Sequence, residues 1–245
     1  AGVLLRACIL GMALLGSVSW AGSPLPFRPG EKLTFQVKWA FIPAGEAVLE
    51  TVGIESINGA PAYHFAMTAA SYPHIDPFYK VRDRIDAYAD LALSRSVLYK
   101  NRKDGKRKRD VVVHFDWQKQ QARYSDFGQE IAPVSLLPGS LDPLSVFFSF
   151  RSYELKEGLH LQRPVTDGKK CVVGHARVMG RERITVAGRD YDAFLVEPDV
   201  EDIGGIFKKS KGARLQVWVT ADERRIPVRI ESRVYIGSIL AELIS

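Results

Sequence analysis

The 245-residue sequence has only two cysteines, Cys8 and Cys171. Cys8 lies in an N-terminal segment that we expect to be removed, so Cys171 remains alone and the mature chain can form no internal disulfide. A domain without disulfides has to be stabilised by its hydrophobic core, which a chain of this length can supply. The remaining thiol is more typical of a small buried apolar side chain than of a reactive group.

Long hydrophobic runs are also missing. The apolar run from Ala7 to Leu15 is too short for a transmembrane helix, which needs about 20 residues. It follows the single charge of Arg6 and precedes the small residues Ser19 and Ala21, which is the pattern of a secretory signal peptide. We therefore expect cleavage after Ala21, a single β-rich domain over residues 22–245, and a periplasmic or secreted location.

The sequence contains no G-x-S-x-G, H-E-x-x-H or phosphate-loop motif. Its histidines do not have metal-ligand spacing; they are His64, His74, His114, His160 and His175. We accordingly predict no catalytic residue, no metal and no cofactor, and expect the protein not to be an enzyme. A hydrolase whose site is assembled from dispersed residues stays open as a third alternative.

Strict alternation of apolar and polar residues is what the sequence has in abundance. In "KLTFQVKWAF", one face of the strand would carry Leu33, Phe35, Val37 and Trp39. This pattern is typical of a strand with one buried and one solvent-exposed face. Similar segments recur along the chain at short spacing. We predict turns at Pro43-Ala44-Gly45 and Asp104-Gly105, and a strand that includes "FYKVRDRIDAYAD".

One segment, "LDPLSVFFSFRSYELKEG", has helical spacing instead. Asp142 is suited to the N-cap, Pro143 to the first turn, and Gly158 to the position beyond the end. Leu144, Phe147 and Phe148 form an apolar stripe. The fold class predicted from these patterns is mainly β: a strongly curved antiparallel sheet or half-open barrel with one principal helix on its concave side.

The stretch "VWVTADERRIPVRIE" gathers four charged residues, Asp222 to Arg225, near Trp218. Short polar connections between alternating strands are typical of hairpin tips, and carboxylates that are neighbours in sequence are not held across a cleft, as catalysis by paired carboxylates requires. We interpret the stretch as a hairpin tip. Trp218 has two interpretations: a residue stacked on Arg229, or a wall of a ligand groove.

Several stretches together resemble a bacterial family of exported proteins, domain of unknown function 3108. They are "GEKLTFQVKWAFIPAGEAVLE", "YKVRDRIDAY", "DPLSVFFSFR" and "LQVWVTADERRIPVRIES…GSILAEL". The resemblance spans nearly the whole mature chain. It implies a β-rich envelope protein with no assigned chemistry, and by analogy of fold a curled sheet similar to periplasmic lipid and lipoprotein shuttles.

A hollow between the curled sheet and the helix would suit an acyl chain. The predicted ligand-binding residues are Phe35, Trp39, Tyr63, Phe65, Tyr79, Asp83, Phe147, Phe148 and Trp218. The aromatic side chains equally suit a filled core. Asp83 is expected to point to the apolar side, either as a polar anchor for a ligand or as a partner in a structural ion pair.

The segment "KNRKDGKRKR" concentrates basic residues at a predicted hairpin. They are Lys100, Arg102, Lys103, Lys106, Arg107, Lys108 and Arg109. Such a cluster either protects a sheet edge by charge or contacts an anionic membrane surface or glycan. In an exported protein the anionic partner would be lipid headgroups or a lipopolysaccharide-like glycan rather than nucleic acid.

The function that these patterns favour is non-enzymatic: binding or transfer of a lipid-like or amphipathic molecule of the cell envelope. The alternative from another class is a structural or assembly factor that holds a protein partner at the sheet edges.

Overall fold

The computed structural model describes residues 25–105, 108–199, 213–234 and 237–245. The expected signal peptide and its cleavage site lie outside the described residues. Within the described ranges the chain forms fifteen strands and two helices. None of the helices in this part of the chain is long and apolar enough to cross a bilayer.

The strands follow one another with mostly short connections. In chain order they are β1 Glu31–Trp39, β2 Ile42–Ile57, β3 Ala60–Ser71, β4 Arg82–Asp90, β5 Ser96–Lys103, β6 Arg109–Asp116, β7 Gln121–Asp126, β8 Gln129–Glu130, β9 Val134–Ser135, β10 His160–Thr166, β11 Cys171–Val186, β12 Arg189–Pro198, β13 Arg214–Thr220, β14 Pro227–Val234 and β15 Gly237–Leu243. The helices are α1 Asp76–Tyr79 and α2 Pro143–Phe150.

All the strands belong to one sheet, in the order β10-β11-β12-β13-β14-β15-β1-β2-β3-β4-β5-β6-β7-β8, with β9 paired to β7. Every named pair of strands is antiparallel. The first and last strands pair with each other, with Phe35 opposite Leu243. The sheet therefore consists of two meanders, β10–β15 and β1–β8, joined where the two ends of the domain meet.

The sheet curls around α2. The helix contacts β10 at one edge of the sheet and β3 and β4 in the other meander. The β10–β11 turn also reaches across to β6, where the Cβ position of Gly168 lies against the side chain of Val113. The predicted fold class, a curved and open antiparallel sheet with one principal helix on its concave side, is confirmed.

The alternation in β1 is confirmed by burial at Leu33 and Phe35, which lie between more exposed neighbours, but Trp39 at the end of the strand is exposed. The predicted turn at Pro43-Ala44-Gly45 is wrong. The chain reverses earlier, at residues 40–41, where Ala40 adopts a positive φ of 53°. A β-bulge after Val37 then places Pro43 opposite Lys38, inside β2. The predicted hairpin around Asp104-Gly105 is confirmed by the pairing of β5 with β6.

Helix α2 begins as its sequence predicts. Oδ1 of Asp142 accepts hydrogen bonds from the backbone N–H groups of Leu144 and Ser145, both at 2.9 Å. The predicted end near Gly158 is wrong, because the helix stops at Phe150 and Arg151 forms its C-cap. Gly158 instead donates its N–H to the carbonyl of Val178 at 2.9 Å, in the turn before β10.

The strand predicted over "FYKVRDRIDAYAD" starts later than expected. Residues 76–79 form the short helix α1, which has a proline in its first turn. The strand β4 begins at Arg82, so Tyr79 lies on a helical turn and not on the sheet. The interpretation of residues 222–225 as a hairpin tip is confirmed by the pairing of β13 with β14.

Candidate functional site

A cavity of about 320 Å³ lies between α2 and strands β10–β13. Helical spacing divides the side chains of α2 between two clusters. Leu144 and Phe148 pack into the larger hydrophobic core, against β1–β7. Phe147 and Phe150 contact a second cluster built on β11–β13, and both line the cavity. The helix thus separates a filled core from an unfilled space.

The wall of the cavity is predominantly apolar. Its apolar sheet residues are Leu161, Val165, Val172, Ala176, Val196, Leu215, Val217 and Val219. On β10 and β11 these residues mostly alternate, so one face of each strand turns toward α2. Pockets that bind small molecules span about 300–1,000 Å³ and are mostly apolar with a few polar groups. The size and lining of this cavity fall within that description.

Polar groups line the cavity at a few positions: Arg163, Asp167, Lys170, His175 and Asp199. Nη2 of Arg163 donates hydrogen bonds to the carbonyl of Leu93 at 2.6 Å and to that of Ser94 at 3.2 Å. Nε of the same guanidinium is buried and has no hydrogen-bond acceptor among the described residues. This atom is not accessible from the cavity, whereas Nη1 of Arg163 lies 3.5 Å from the hydroxyl of Tyr153, another lining residue.

Arg151 closes the helix end of the cavity. Its side chain is 2% exposed and forms an ion pair with Glu31. Its remaining donors bind the carbonyls of Pro26 at 3.0 Å and Arg224 at 3.0 Å. Because Arg151 joins α2 to the start of β1 and to the β13–β14 turn, it holds the helix at a fixed distance from the sheet.

The buried N-cap holds the other end of α2. Burial raises the pKa of the Asp142 carboxyl, and hydrogen bonds from Ser145, Ser96 and Leu144 offset only part of this effect. Oδ2 of Asp142 accepts from Oγ of Ser96 at 2.5 Å, which attaches the helix start to β5. Both ends of the cavity-lining helix are therefore anchored to the sheet by polar groups.

The predicted hollow among the aromatic residues does not exist at the predicted place. Phe35, Phe65 and Phe148 are fully buried in the larger core, with Tyr63 packed against them. Phe27, from the proline-rich segment before β1, fills the space. Its ring makes edge contacts with Tyr63, Phe65 and Phe148 at centroid distances of 5.7, 5.4 and 5.8 Å. Of the nine predicted ligand-binding residues, only Phe147 lines the cavity beside α2.

The other predicted side chains also lie away from the cavity. Trp39 and Tyr79 are about half exposed, in β1 and α1. Asp83 is half-buried and lies 3.5 Å from Nζ of Lys103, so it is part of an ion pair. Trp218 is buried, stacks on Arg229 with 5.7 Å from guanidinium to ring centroid, and donates to Glu182 at 2.7 Å. The stacked interpretation of Trp218 is the one that the structure shows.

The predicted basic hairpin is partly neutralised by nearby carboxylates. Lys103 pairs with Asp83, Lys108 lies 3.7 Å from Asp104, and Arg109 pairs with Asp126. Lys100 and Arg102 are exposed. Lys106 and Arg107 lie outside the described residues.

The cavity residues on β10–β13 were missed by the sequence analysis. Their signal was present as alternation in these strands, but several faces of a curled sheet show the same alternation.

Within residues 25–105, 108–199, 213–234 and 237–245, no three His, Cys, Asp or Glu side chains are grouped so that they could hold a metal ion.

Comparisons with known proteins agree with this architecture. A family model described as "Protein of unknown function (DUF3108)" matches residues 34–244. No curated protein matches the sequence. The chain is similar to the crystal structure of a beta-barrel-like protein of domain of unknown function DUF1849 from Brucella abortus, with a TM-score of 0.55 and 9% identity, over 89% of this chain and 98% of that chain. At this identity the likeness concerns the fold alone.

Proposed function

The chain belongs to the DUF3108 family, and we propose that it is an exported, non-enzymatic protein that binds and transfers a lipid-like or amphipathic molecule of the cell envelope. The observation that carries the proposal is the apolar cavity of about 320 Å³ beside α2. Burial of apolar surface is the dominant favourable term in binding, so an acyl chain or a similar apolar group is the ligand that this wall suits.

The polar groups of the cavity favour an amphipathic ligand over a purely apolar one. Arg163 and His175 lie among the lining residues of a mostly apolar wall. A ligand with one polar group, such as a carboxylate, ester or phosphate oxygen, would place that group beside these side chains while its apolar part occupies the space under Phe147 and Phe150.

The alternative of a partner bound at the sheet edge has less support. The edge strand β10 already makes part of its free hydrogen bonds within the chain. Leu141 forms a parallel bridge with Val165, donates its N–H to Pro164 at 3.0 Å and accepts from Thr166 at 2.9 Å. Because these backbone groups of β10 are already hydrogen-bonded, fewer of them remain to pair with an added strand of a protein partner.

Export rests on residues 1–21, whose charge, apolar run and small residues have the signal-peptide pattern. N-terminal sequencing of the protein recovered from an expressing bacterium tests it. A mature chain that begins at Gly22 supports export, whereas a protein that stays in the cytoplasm with residues 1–21 attached contradicts it.

The binding proposal is tested by filling the cavity. Ala176 and Val172 lie in the wall on β11, and phenylalanine at either position would occupy the space. We expect A176F and V172F to weaken the binding of a dansyl-labelled undecanoic acid by at least about tenfold, which corresponds to about 1.4 kcal/mol. Native mass spectrometry of the wild-type protein should show co-purifying lipid that both variants lack.

Val173 provides the matched control. It is adjacent in sequence and half exposed, and it does not line the cavity. V173F should bind the probe as the wild type does. If A176F and V172F keep wild-type affinity and a wild-type melting temperature, the cavity is not the binding site and the proposal fails.

A further inference from the structure

We infer that one end of the curled sheet is a docking surface for an anionic lipid bilayer. The strands β1 to β8 alternate in direction, so the connections after β1, β3, β5 and β7 lie together at one end. This end, called the loop end below, consists of residues 40–41, 72–81, 104–105 and 127–128 and of the strand residues that adjoin them.

Backbone contacts hold neighbouring loops of the loop end together. The N–H of Tyr72 donates to the carbonyl of Ala44 at 2.9 Å, and that of Asp104 donates to Arg82 at 2.8 Å. The Cα of Gly105 lies so close to the backbone of Lys80 that an added Cβ would meet the Lys80 carbonyl oxygen at 2.3 Å. The connections after β1, β3 and β5 therefore form one continuous surface.

The loop end exposes aromatic side chains from three separate connections. Phe41 is 87% exposed, Phe78 77% and Phe127 60%, and Trp39, Ile42 and Tyr79 are about half exposed beside them. Near the opposite end, among the described residues, the exposed large apolar side chains are aliphatic and at most 51% exposed: Ile54, Leu91, Leu137 and Ile244. Exposed apolar side chains concentrated in this way mark an interaction surface.

Basic residues lie next to these aromatic rings. Lys80 directly follows α1, which carries Phe78, and Gly105 at the start of the β5–β6 connection packs on Lys80. Lys106, Arg107 and Lys108 follow Gly105 in sequence, so the connections of the loop end contain four basic residues and two acidic ones, Asp76 and Asp104. Asp83 and Asp126 adjoin these connections and pair with Lys103 and Arg109.

This combination fits a bilayer better than a protein. Aromatic side chains bury well at the membrane interface, and lysine and arginine are attracted to anionic headgroups. Phe41, Phe78 and Phe127 belong to three different loops with basic residues beside them, so their rings can enter lipid while the cations stay at the headgroups. Lysine is depleted in the cores of protein interfaces, so the basic residues beside the rings argue against a protein partner.

The cavity lies away from the loop end. Its β10–β11 turn packs on Val113 in the middle of β6, and Arg163 donates to the carbonyls of Leu93 and Ser94 at the opposite end. The docking inference itself does not require any cavity ligand, because its surface is formed by other residues.

The test is position-specific, because the apolar residues 7–15 of the full chain would bind vesicles without any docking surface. Single cysteines replace Phe41, Phe78, Ile54 or Leu91 in a C8S/C171S background and carry the environment-sensitive NBD fluorophore. Phe41 and Phe78 report on the loop end, whereas Leu91 and Ile54 are exposed residues near the opposite end. Unchanged melting temperatures establish that the labelled proteins remain folded.

With vesicles of phosphatidylcholine and phosphatidylglycerol, we expect emission at positions 41 and 78 to shift to the blue and rise at least about twofold, with no change at 54 and 91. Vesicles of phosphatidylcholine alone and added salt should weaken the response, because screening acts on exposed charges. K80Q/K108Q should raise the lipid concentration at half-maximal response by about fivefold, and A176F should leave it unchanged.

An absent response at positions 41 and 78, or an equal response at all four positions, would overturn the inference. So would a loop-end response that depends on protein concentration and not on lipid, which would identify a protein contact. Probe binding to the cavity is measured separately, so either proposal can fail while the other stands.

Discussion

The guanidinium of Arg151 and the carboxylate of Glu31 form a two-point ion pair inside the protein, with Nη1 2.6 Å from Oε2 and Nη2 3.1 Å from Oε1. The pair joins the residue after α2 to the first residue of β1. The backbone carbonyl of Arg224, in the β13–β14 turn, accepts a hydrogen bond from the same guanidinium at 3.0 Å. Three distant parts of the chain thus meet at one buried arginine, which fixes how far the helix stands from the sheet.

Removing either partner of this pair should destabilise the protein strongly. Arg151→Met leaves the buried Glu31 carboxylate with only the more distant guanidinium of Arg224, whose Nη2 lies 3.4 Å from Oε1. Glu31→Gln leaves the buried guanidinium of Arg151 without its anion. Loss of one partner of a buried ion pair costs about 3–5 kcal/mol. Urea unfolding followed by circular dichroism measures the change.

The control is Arg233→Met, which removes the exposed ion pair with Glu231 and should cost at most about 1 kcal/mol. Equal losses in R151M and R233M would contradict the assigned role of Arg151.

Asp86 should stabilise the fold at neutral pH and lose this effect in acid. Burial alone would raise the pKa of its carboxyl, but hydrogen bonds from Arg84 and His64 outweigh burial and hold the pKa below its ordinary value. A carboxyl with a lowered folded pKa contributes stability above its unfolded pKa, about 3.9, and loses it as the pH falls through the folded pKa.

The variant Asp86→Asn tests whether the stability contribution of Asp86 falls in acid. It should be less stable than the wild type by about 1–3 kcal/mol near neutral pH, since hydrogen bonds to a charged group contribute about that much. The difference should shrink as the pH falls through the acid range. Urea midpoints measured for both proteins across that range provide the comparison, and a difference that grows in acid would refute the prediction.

Asp142 should show the opposite pH dependence. Burial raises the pKa of its carboxyl, so the native state binds the proton more tightly than the unfolded chain does. This contribution is present below the unfolded pKa of about 3.9 and is lost as the pH rises through the folded pKa. Asp142→Asn cannot ionise and keeps an oxygen for the N-cap, so it should gain stability relative to the wild type as the pH rises.

A second substitution separates capping from charge. Asp142→Ala removes both the charge and the acceptor for Leu144 and Ser145, so it should be less stable than Asp142→Asn by about 0.5–2 kcal/mol at every pH. If the stability difference between Asp142→Asn and the wild type does not change with pH, the carboxyl acts only as a cap. Thermal unfolding across the acid range distinguishes the two effects.

The parts of the fold that follow from local chemistry were predictable from the sequence. Alternation in β1 and the N-cap at Asp142 depend on neighbours in sequence, and both are confirmed. The end of α2 was not predictable, because it is set by the contacts of Arg151 with residues that are distant in sequence. The same holds for Phe27, which lies outside any periodic segment and fills the hollow expected among the aromatic residues.

The position of the cavity depends on irregularities that the sequence does not reveal. A β-bulge between Val178 and Gly180 changes the register of β11 against β12. Alternation predicts two faces for each strand, but a bulge exchanges them within the strand. Which face meets the helix therefore follows only from the assembled sheet, and the predicted site was placed in the wrong half of it.

The contact between Gly168 and Val113 should prove essential for the closure of the sheet around the cavity. Gly168 lies in the β10–β11 turn with a φ of 86°, and an added Cβ would meet the Val113 side chain at 2.7 Å. Gly188, in the β11–β12 turn, has a similar φ of 78° but no atom within 4 Å of that position.

Both Gly168→Ala and Gly188→Ala therefore have the backbone cost of a positive φ, about 1–2 kcal/mol. Only Gly168→Ala adds a steric conflict with a buried side chain, which typically costs a further 1–3 kcal/mol or so. Urea unfolding should rank Gly168→Ala as the less stable variant, and the double variant G168A/V113A should recover part of the difference, since the smaller side chain makes room for the methyl group. Equal stability of the two alanine variants would show that the turn does not pack on β6, and that the curl of the sheet is not held at this point.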